Sequence, residues 1–264
     1  MSNSTVHELF DLTGRVAMIT GASGWLGSAM ADALAEAGAN VVVASRDAAK
    51  GAEAAASLTS EKGNRHFSVV LDQLDEASIS EGFSDAVSLA GKVDILINNG
   101  HAADAHDLTD VNAAQFNAVL ANSTGWFLLS RCLRDHLVER KAPGNVVMIG
   151  SMYGQVGSYP DTYEGICPGS PVSYHALKGG IIHMTRHLAV YWAPDKVRVN
   201  CLSPGPFPGP GIADDLAGRL AGKSPMGRMG QPHELKGALL LLASDAGSYI
   251  TGQNLTVDGG WTAW

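Results

Sequence analysis

Cysteine, basic charge and long apolar runs are all scarce in this sequence, and each scarcity removes a class of protein. Three cysteines, Cys132, Cys167 and Cys201, stand far apart in 264 residues. An odd number at such spacing makes neither a disulfide framework nor a metal knuckle, and points to a reducing, cytoplasmic compartment. Lysine and arginine number 18 against 26 aspartates and glutamates, a net charge of -8. With no Lys/Arg cluster anywhere, nucleic acid is not an expected partner. The acidity leaves room for a small anionic ligand, because backbone amides and one arginine can hold a phosphate locally. The apolar run at 237–243 falls far short of the roughly 20 residues a membrane span needs. The polar start, MSNSTVHELFDLTGR, lacks the apolar stretch of a secretory signal. Charged residues are only 17% and hydrophobic ones 45%, which excludes a disordered chain and supplies one substantial core.

What the sequence does contain is a repeated alternation. Short, β-branched, nearly continuous apolar runs at 15–20, 40–45, 66–71, 93–97, 145–150, 197–202 and 254–257 read as strands covered on both faces. Between them, helical patterns occupy 26–37, 48–61, 77–90, 113–140 and 173–192. Strand and helix in such alternation predict an α/β fold, a doubly wound parallel sheet in one domain over 1–264. Two stretches break the rhythm, 152–171 and 203–222, the second opening on SPGPFPGPG. Both follow strands, where an open α/β sheet places its ligands, and long loops are usually functional.

Between the first strand and first helix stands TGASGWLG at 20–27. Glycine lets Gly21 and Gly24 turn tightly against a pyrophosphate, and the helix start at Trp25 and Leu26 supplies free N–H groups and a positive dipole end. Gly27, one turn inside, would let helix and strand pack closely. The second strand ends Ser45-Arg46-Asp47. A site preferring NAD places a carboxylate here for the ribose 2′-hydroxyl. Arg46 instead suits a 2′-phosphate, while Asp47 reads as the N-cap of the next helix. NADP is therefore expected over NAD.

Tyr174 and Lys178 lie four apart on a predicted helix, sharing one face. A phenol with pKa near 10 is a poor acid–base at neutral pH, and a neighbouring cation lowers that value, so the pairing has a chemical purpose. Ser151, at the end of the fifth strand, and Asn122, in the helix before it, would join this pair across the sheet.

TGASGWLG at 20–27, NNGH at 98–101, Asn122 in ANSTG, Ser151 in IGSMYG, YHALK at 174–178, RVNCLSPG at 198–205 and TGQNLTVDGG at 251–260 together resemble the short-chain dehydrogenase/reductase family over nearly the whole chain. The resemblance implies a Rossmann-type seven-stranded sheet, a nicotinamide cofactor, and interconversion of a ketone and a secondary alcohol. By it, Tyr174 exchanges the proton with the substrate oxygen and Lys178 lowers the Tyr174 pKa and holds the nicotinamide ribose. Ser151 would bind the substrate oxygen, and Asn122 a water linking Lys178 to solvent. Ser23 belongs to the glycine turn, Asp72 would meet the adenine, and Asn98 and Gly100 the adenine ribose region. The backbone of Pro204, Gly205 and Phe207 would meet the carboxamide. The family is commonly a homotetramer, and a homodimer is the other assembly considered.

The chain departs from the family pattern in three places. Trp25 stands where the compact branch has glycine, a spacing similar to the extended branch of epimerases and dehydratases. No threonine occurs between Gly205 and Ala221 to contact the carboxamide. Ser151 precedes Tyr174 by more residues than is usual, and the extra loop, with Tyr153, Tyr159, Tyr163, Glu164 and Cys167, is expected to line a pocket for a polar, hydroxylated, sugar- or polyol-like substrate. A 3-oxoacyl thioester reductase, an epimerase and a non-enzymatic dinucleotide sensor are the rival readings. His183 and His187 share a helical face but lack a third ligand, so no metal is expected. His101 and His106 read as solvated loop histidines, with substrate contact as the alternative, and Trp261 and Trp264 are expected to be buried.

Overall fold

The computed structural model describes residues 4–103, 106 and 108–264. Seven strands, β1 (Val16–Thr20), β2 (Asn40–Ser45), β3 (His66–Val70), β4 (Ile95–Asn98), β5 (Gly144–Ile149), β6 (Val197–Pro204) and β7 (Asn254–Val257), form one sheet. Its order is β3-β2-β1-β4-β5-β6-β7, and every neighbouring pair is parallel. Central strands are buried on both faces, which is why they read as unbroken Val/Ile/Met runs.

Helices α2 (Trp25–Glu36) and α9 (Lys236–Ala243) pack together on one face, with α3 (Ala48–Ala56) against β2 and β3. Helices α4 (Glu76–Ala90), α5 (Ala113–Glu139) and α7 (Val172–Trp192) pack side by side, α4 against β3 and β2, α5 against β4 and β5, and α7 against β5 and β6. The Rossmann-type expectation therefore holds. Asp47 caps α3, its Oδ1 accepting from Lys50 N at 3.1 Å. At the lower end of the sheet the buried Asp94 ties β1 to β4, accepting from Val16 N at 3.0 Å while Lys92 and Arg140 neutralise it at 2.9 and 3.1 Å.

Some elements differ from expectation. Helix α3 stops at Ala56, five residues early, where Ser57 Oγ turns back to donate to Ala54 O and Thr59 O accepts from His66 Nε2 at 2.8 Å. A short α1 (Val6–Phe10), closed by a capping box between Thr5 and Glu8, precedes the sheet. Inside 152–171 lies α6 (Pro160–Tyr163), and beyond β6 comes α8 (Asp214–Lys223). These two are clamped together. Arg219 donates to the carbonyls of Asp161 and Glu164, both at 2.8 Å, and Lys223 pairs with Asp161 at 2.6 Å. Trp261 is buried beneath this cap, whereas Trp264 is 70% exposed, contrary to expectation. No helix among the described residues is long and apolar enough to cross a membrane.

Strand order reverses between β1 and β4. The loops leaving these strands, together with those after β2, β5 and β6, therefore surround a crevice at the carboxyl ends of the sheet.

Candidate active site

The crevice begins at the glycine turn. Gly21 takes φ +68°, and a Cβ there would lie 2.9 Å from Asn99 Nδ2 and from Gly100 Cα. At Gly27 a Cβ would stand 2.0 Å from Gly21 O, so only glycine lets the turn fold onto α2. Gly24 is the N-cap of α2, leaving the first N–H groups of the helix, on Trp25 and Leu26, without intrahelical acceptors. The side chains of these two point elsewhere: Trp25 is 45% exposed and Leu26 packs on the core. Only their backbone N–H groups face a position where a phosphate could be held.

A cleft of about 250 Å³ runs from this turn past the end of β2. Gly21, Ser23, Arg46, Asp72 and Gly100 line it as expected, and Thr20, Ser45, Lys50 and Gln73 join them. Arg46 and Lys50 together give the far end a positive pair; of the two carboxylates in the wall, Asp47 is occupied in capping α3 and Asp72 Oδ1 accepts from Leu74 N at 2.9 Å. A nucleotide fits this cradle: the turn admits close backbone approach, and the cation pair suits a 2′-phosphate.

Asn98 lies elsewhere. Its side chain is fully buried, donating to Ser130 Oγ at 2.9 Å and to Trp126 O at 3.3 Å, on the α5 side of the sheet. Its neighbour Asn99 faces the crevice, its Nδ2 donating to the carbonyls of Thr20 and Gly21, both at 3.1 Å. Successive residues of an extended chain point to opposite sides, which separates the two roles.

Beside the cleft opens a second cavity of about 450 Å³, containing Ser151, Tyr174, Tyr153, Tyr163, Gly205 and Phe207. Pro204 is the last paired residue of β6 and is not part of the wall. Tyr153 and Tyr163 share a hydroxyl–hydroxyl hydrogen bond. Of the other loop residues expected in the wall, Tyr159 packs on Trp261, Glu164 gives its carbonyl to Arg219, and Cys167 is exposed. A larger cavity of about 620 Å³ lies at the opposite end of the strands. Its arginines are committed there, Arg15 to Asp245 and Arg198 to the carbonyls of Ser244 and Ile250.

Ser151 is buried at the end of β5, its Oγ accepting from Tyr153 N at 3.1 Å. Burial raises the Tyr174 phenol above its ordinary value, and hydrogen bonding with Ser151 opposes the rise. Tyr174 is therefore a protonated phenol at neutral pH, which corrects the expectation that Lys178 makes it acidic in this state. The reason is geometric. Lys178 Nζ sits 5.5 Å from the Tyr174 ring centroid, donates to Ile149 O at 2.7 Å and faces the Trp126 ring at 4.8 Å. At that separation, burial outweighs the Lys178 charge in setting the Tyr174 phenol.

The Asn122 side chain is fully engaged within the chain, so a water at this residue would be held by its backbone. Its Oδ1 accepts from Gln73 Nε2 at 2.6 Å and Ala102 N at 2.9 Å, and its Nδ2 donates to Ala102 O at 3.0 Å and Val119 O at 2.8 Å. All four hydrogen-bonding places of the amide are taken, so its side chain braces the loop after β4 and holds no water.

Lys178 is wholly buried, and that burial lowers its pKa from 10.5 to about 8. Between those values the unfolded chain binds the proton more tightly, so stability rises with pH through this window. Relative to Lys178→Met, the wild type should gain on the order of 3 kcal/mol between pH 7 and pH 10.5. Urea unfolding of both proteins across that range reads the difference. Cys201, pushed up to about 11 by burial, titrates in both and largely cancels. Parallel curves would show that Lys178 carries no buried charge.

His183 and His187 are exposed on α7, the latter 4.6 Å from the Tyr191 ring, and among the described residues no group of three His, Cys, Asp or Glu is placed to hold a metal.

A family model described as Enoyl-(Acyl carrier protein) reductase matches residues 21–262. The NADP-dependent mannitol dehydrogenase of Alternaria alternata is 35% identical, over 97% of this chain and 95% of its own. The chain belongs to the short-chain dehydrogenase/reductase family. Within the family it is also similar to the galactitol 2-dehydrogenase (L-tagatose-forming) of Cereibacter sphaeroides, 34% identical over 98% and 99% of the two chains. A gluconate 5-dehydrogenase from Burkholderia cenocepacia, solved in complex with NADP and tartrate, superposes with a TM-score of 0.88 at 28% identity, covering 98% of this chain and all of that one (100%). Such proteins are oxidoreductases that interconvert an alcohol and a carbonyl.

Proposed function

We propose that the protein is an NADP(H)-dependent oxidoreductase interconverting a polyol and the corresponding ketose. One observation carries the reading: a cleft ending in the Arg46 and Lys50 cations meets, at His101, a cavity of mixed polar and apolar lining that holds Ser151 and Tyr174. The names of the mannitol and galactitol relatives support the substrate class. Bound NADPH would supply the hydride, and the chain supplies position and proton. The Gly21 turn and the start of α2 would hold the pyrophosphate, Arg46 the 2′-phosphate and Asp72 the adenine side. Ser151 and Tyr174 would share the substrate oxygen, Tyr174 giving its proton during reduction and taking one during oxidation. Lys178 would stabilise the phenolate left behind.

The test is a panel of ketohexoses, polyols, 3-oxoacyl and enoyl thioesters and cyclic ketones, each with NADPH or NADP and with NADH or NAD. The highest kcat/KM is expected for a ketohexose with NADPH. Activity confined to thioesters or to large apolar ketones would overturn the substrate assignment.

The assembly we infer is a cytoplasmic homo-oligomer, a homotetramer or homodimer. Three free cysteines suit a reducing compartment. Val190 and Tyr191 on α7, with Trp264 at the chain end, are large apolar groups exposed on the subunit. A monomeric mass by light scattering would refute the oligomer.

A further inference from the structure

The loop leaving β4 carries an imidazole that hydride and proton transfer do not require. His101 follows Asn98-Asn99-Gly100, and of the residues lining the nucleotide cleft and the Ser151 cavity it is the one, among the described residues, that borders both. Its ring stands edge-on to Tyr174, centroids 5.5 Å apart at 75°. Its Nε2 is shielded from solvent and has no hydrogen-bond partner. A buried polar atom left unpaired is costly, and where one is retained beside a reacting group it marks a place for a ligand atom.

The histidine is held firmly. On one side Gly100 N donates to Thr20 Oγ1 at 2.8 Å and Gly100 O accepts from Trp126 Nε1 at 2.9 Å. On the other, Ala102 gives and takes hydrogen bonds with the Asn122 amide. Four hydrogen bonds on the flanking residues fix the ring's anchor, the support a binding group needs to be selective. This also gives Asn122 a use: it is a positioning residue for the His101 loop. Burial and the charge of Lys178 lower the His101 pKa to about 4, so the ring is neutral in ordinary buffers and one nitrogen donates while the other accepts.

We propose that His101 is a specificity-determining residue that hydrogen-bonds the hydroxyl on the carbon next to the reacting carbonyl. The inference rests on the polyol reading and sharpens it. With the reacting oxygen held by Ser151 and Tyr174, the adjacent carbon of a ketose falls beside the Tyr174 ring, where the imidazole stands. A hydroxyl there completes the unpaired nitrogen; a methyl group leaves it unpaired, which is how a site rejects an analogue lacking one hydroxyl.

Hydroxyacetone and butanone differ by that one group and serve as probes, alongside a ketohexose. His101→Phe preserves the ring and its edge contact with Tyr174 but removes both nitrogens; His101→Gln restores a donor and an acceptor. For His101→Phe, kcat/KM is expected to fall about 10- to 100-fold on hydroxyacetone, the loss of one such hydrogen bond, and less than about threefold on butanone. His101→Gln should recover most of the difference. An unaltered ratio of the two ketones in His101→Phe, or no recovery in His101→Gln, would overturn the proposal. Wild-type protein that reduces no ketohexose would sink the polyol reading itself, whereas wild type that does, with the ratio unaltered in His101→Phe, would sink only the role of His101.

Discussion

Replacing Tyr174 by phenylalanine should lower kcat by about 10²–10⁴-fold, the range for a positioned proton donor. NADPH should bind as before, because the cleft from Gly21 to Arg46 does not include the phenol. The expectation follows from where the proton is. Burial keeps the Tyr174 hydroxyl protonated at rest, Ser151 is within its hydrogen-bonding influence, and both border the same cavity. A carbonyl oxygen between them would receive the proton as hydride arrives, and Lys178, 5.5 Å from the ring centre, would oppose the developing negative charge with a positive one. Steady-state rates with cofactor affinity from tryptophan fluorescence separate chemistry from binding. A variant within threefold of the wild-type kcat would remove Tyr174 from the reaction.

The second large effect concerns the cofactor. Arg46→Asp should lower the NADPH-to-NADH ratio of kcat/KM by about 10²–10³-fold. A charge-assisted contact to the 2′-phosphate is worth about 1.5–3 kcal/mol, and the new carboxylate adds repulsion toward phosphate and an acceptor for a free ribose hydroxyl. Arg46 is exposed and in no element's interior, so folding should be little disturbed. Lys50 stays in the variant and sets the residual preference for NADPH. Kinetics with both cofactors on wild type and variant give the ratio. An unchanged ratio, or wild type preferring NADH, would place the 2′-phosphate elsewhere.

Much of this architecture is legible in the sequence because buried parallel strands advertise themselves. All seven runs became strands, and those at 40–45 and 254–257 did so with the same bounds. Tyr174 and Lys178 are legible for a similar reason, since helical periodicity puts residues four apart on one face. Helix α9 is the counterexample. Its core, Ala238 to Ala243, is apolar all round, so it shows no period, and only the packing against α2 and β5 reveals it. Asn122 was found by motif, but its bonds to Gln73 and Ala102 span 49 and 20 residues and leave no local trace. His101 reads as an ordinary loop histidine until the fold sets Tyr174, some seventy positions away in sequence, against its ring. Asn98 and Asn99 are indistinguishable as letters, and the sheet decides which faces the glycine turn.

The central claim is net redox exchange between NADPH and a hydroxylated ketone at Tyr174. It is tested most directly by following 340-nm absorbance and polyol formation together in one reaction of wild-type protein with NADPH and a ketohexose. The account predicts that each polyol formed consumes one NADPH. A changed sugar with the absorbance flat would contradict it, since the nucleotide would then be recycled within an epimerase or dehydratase.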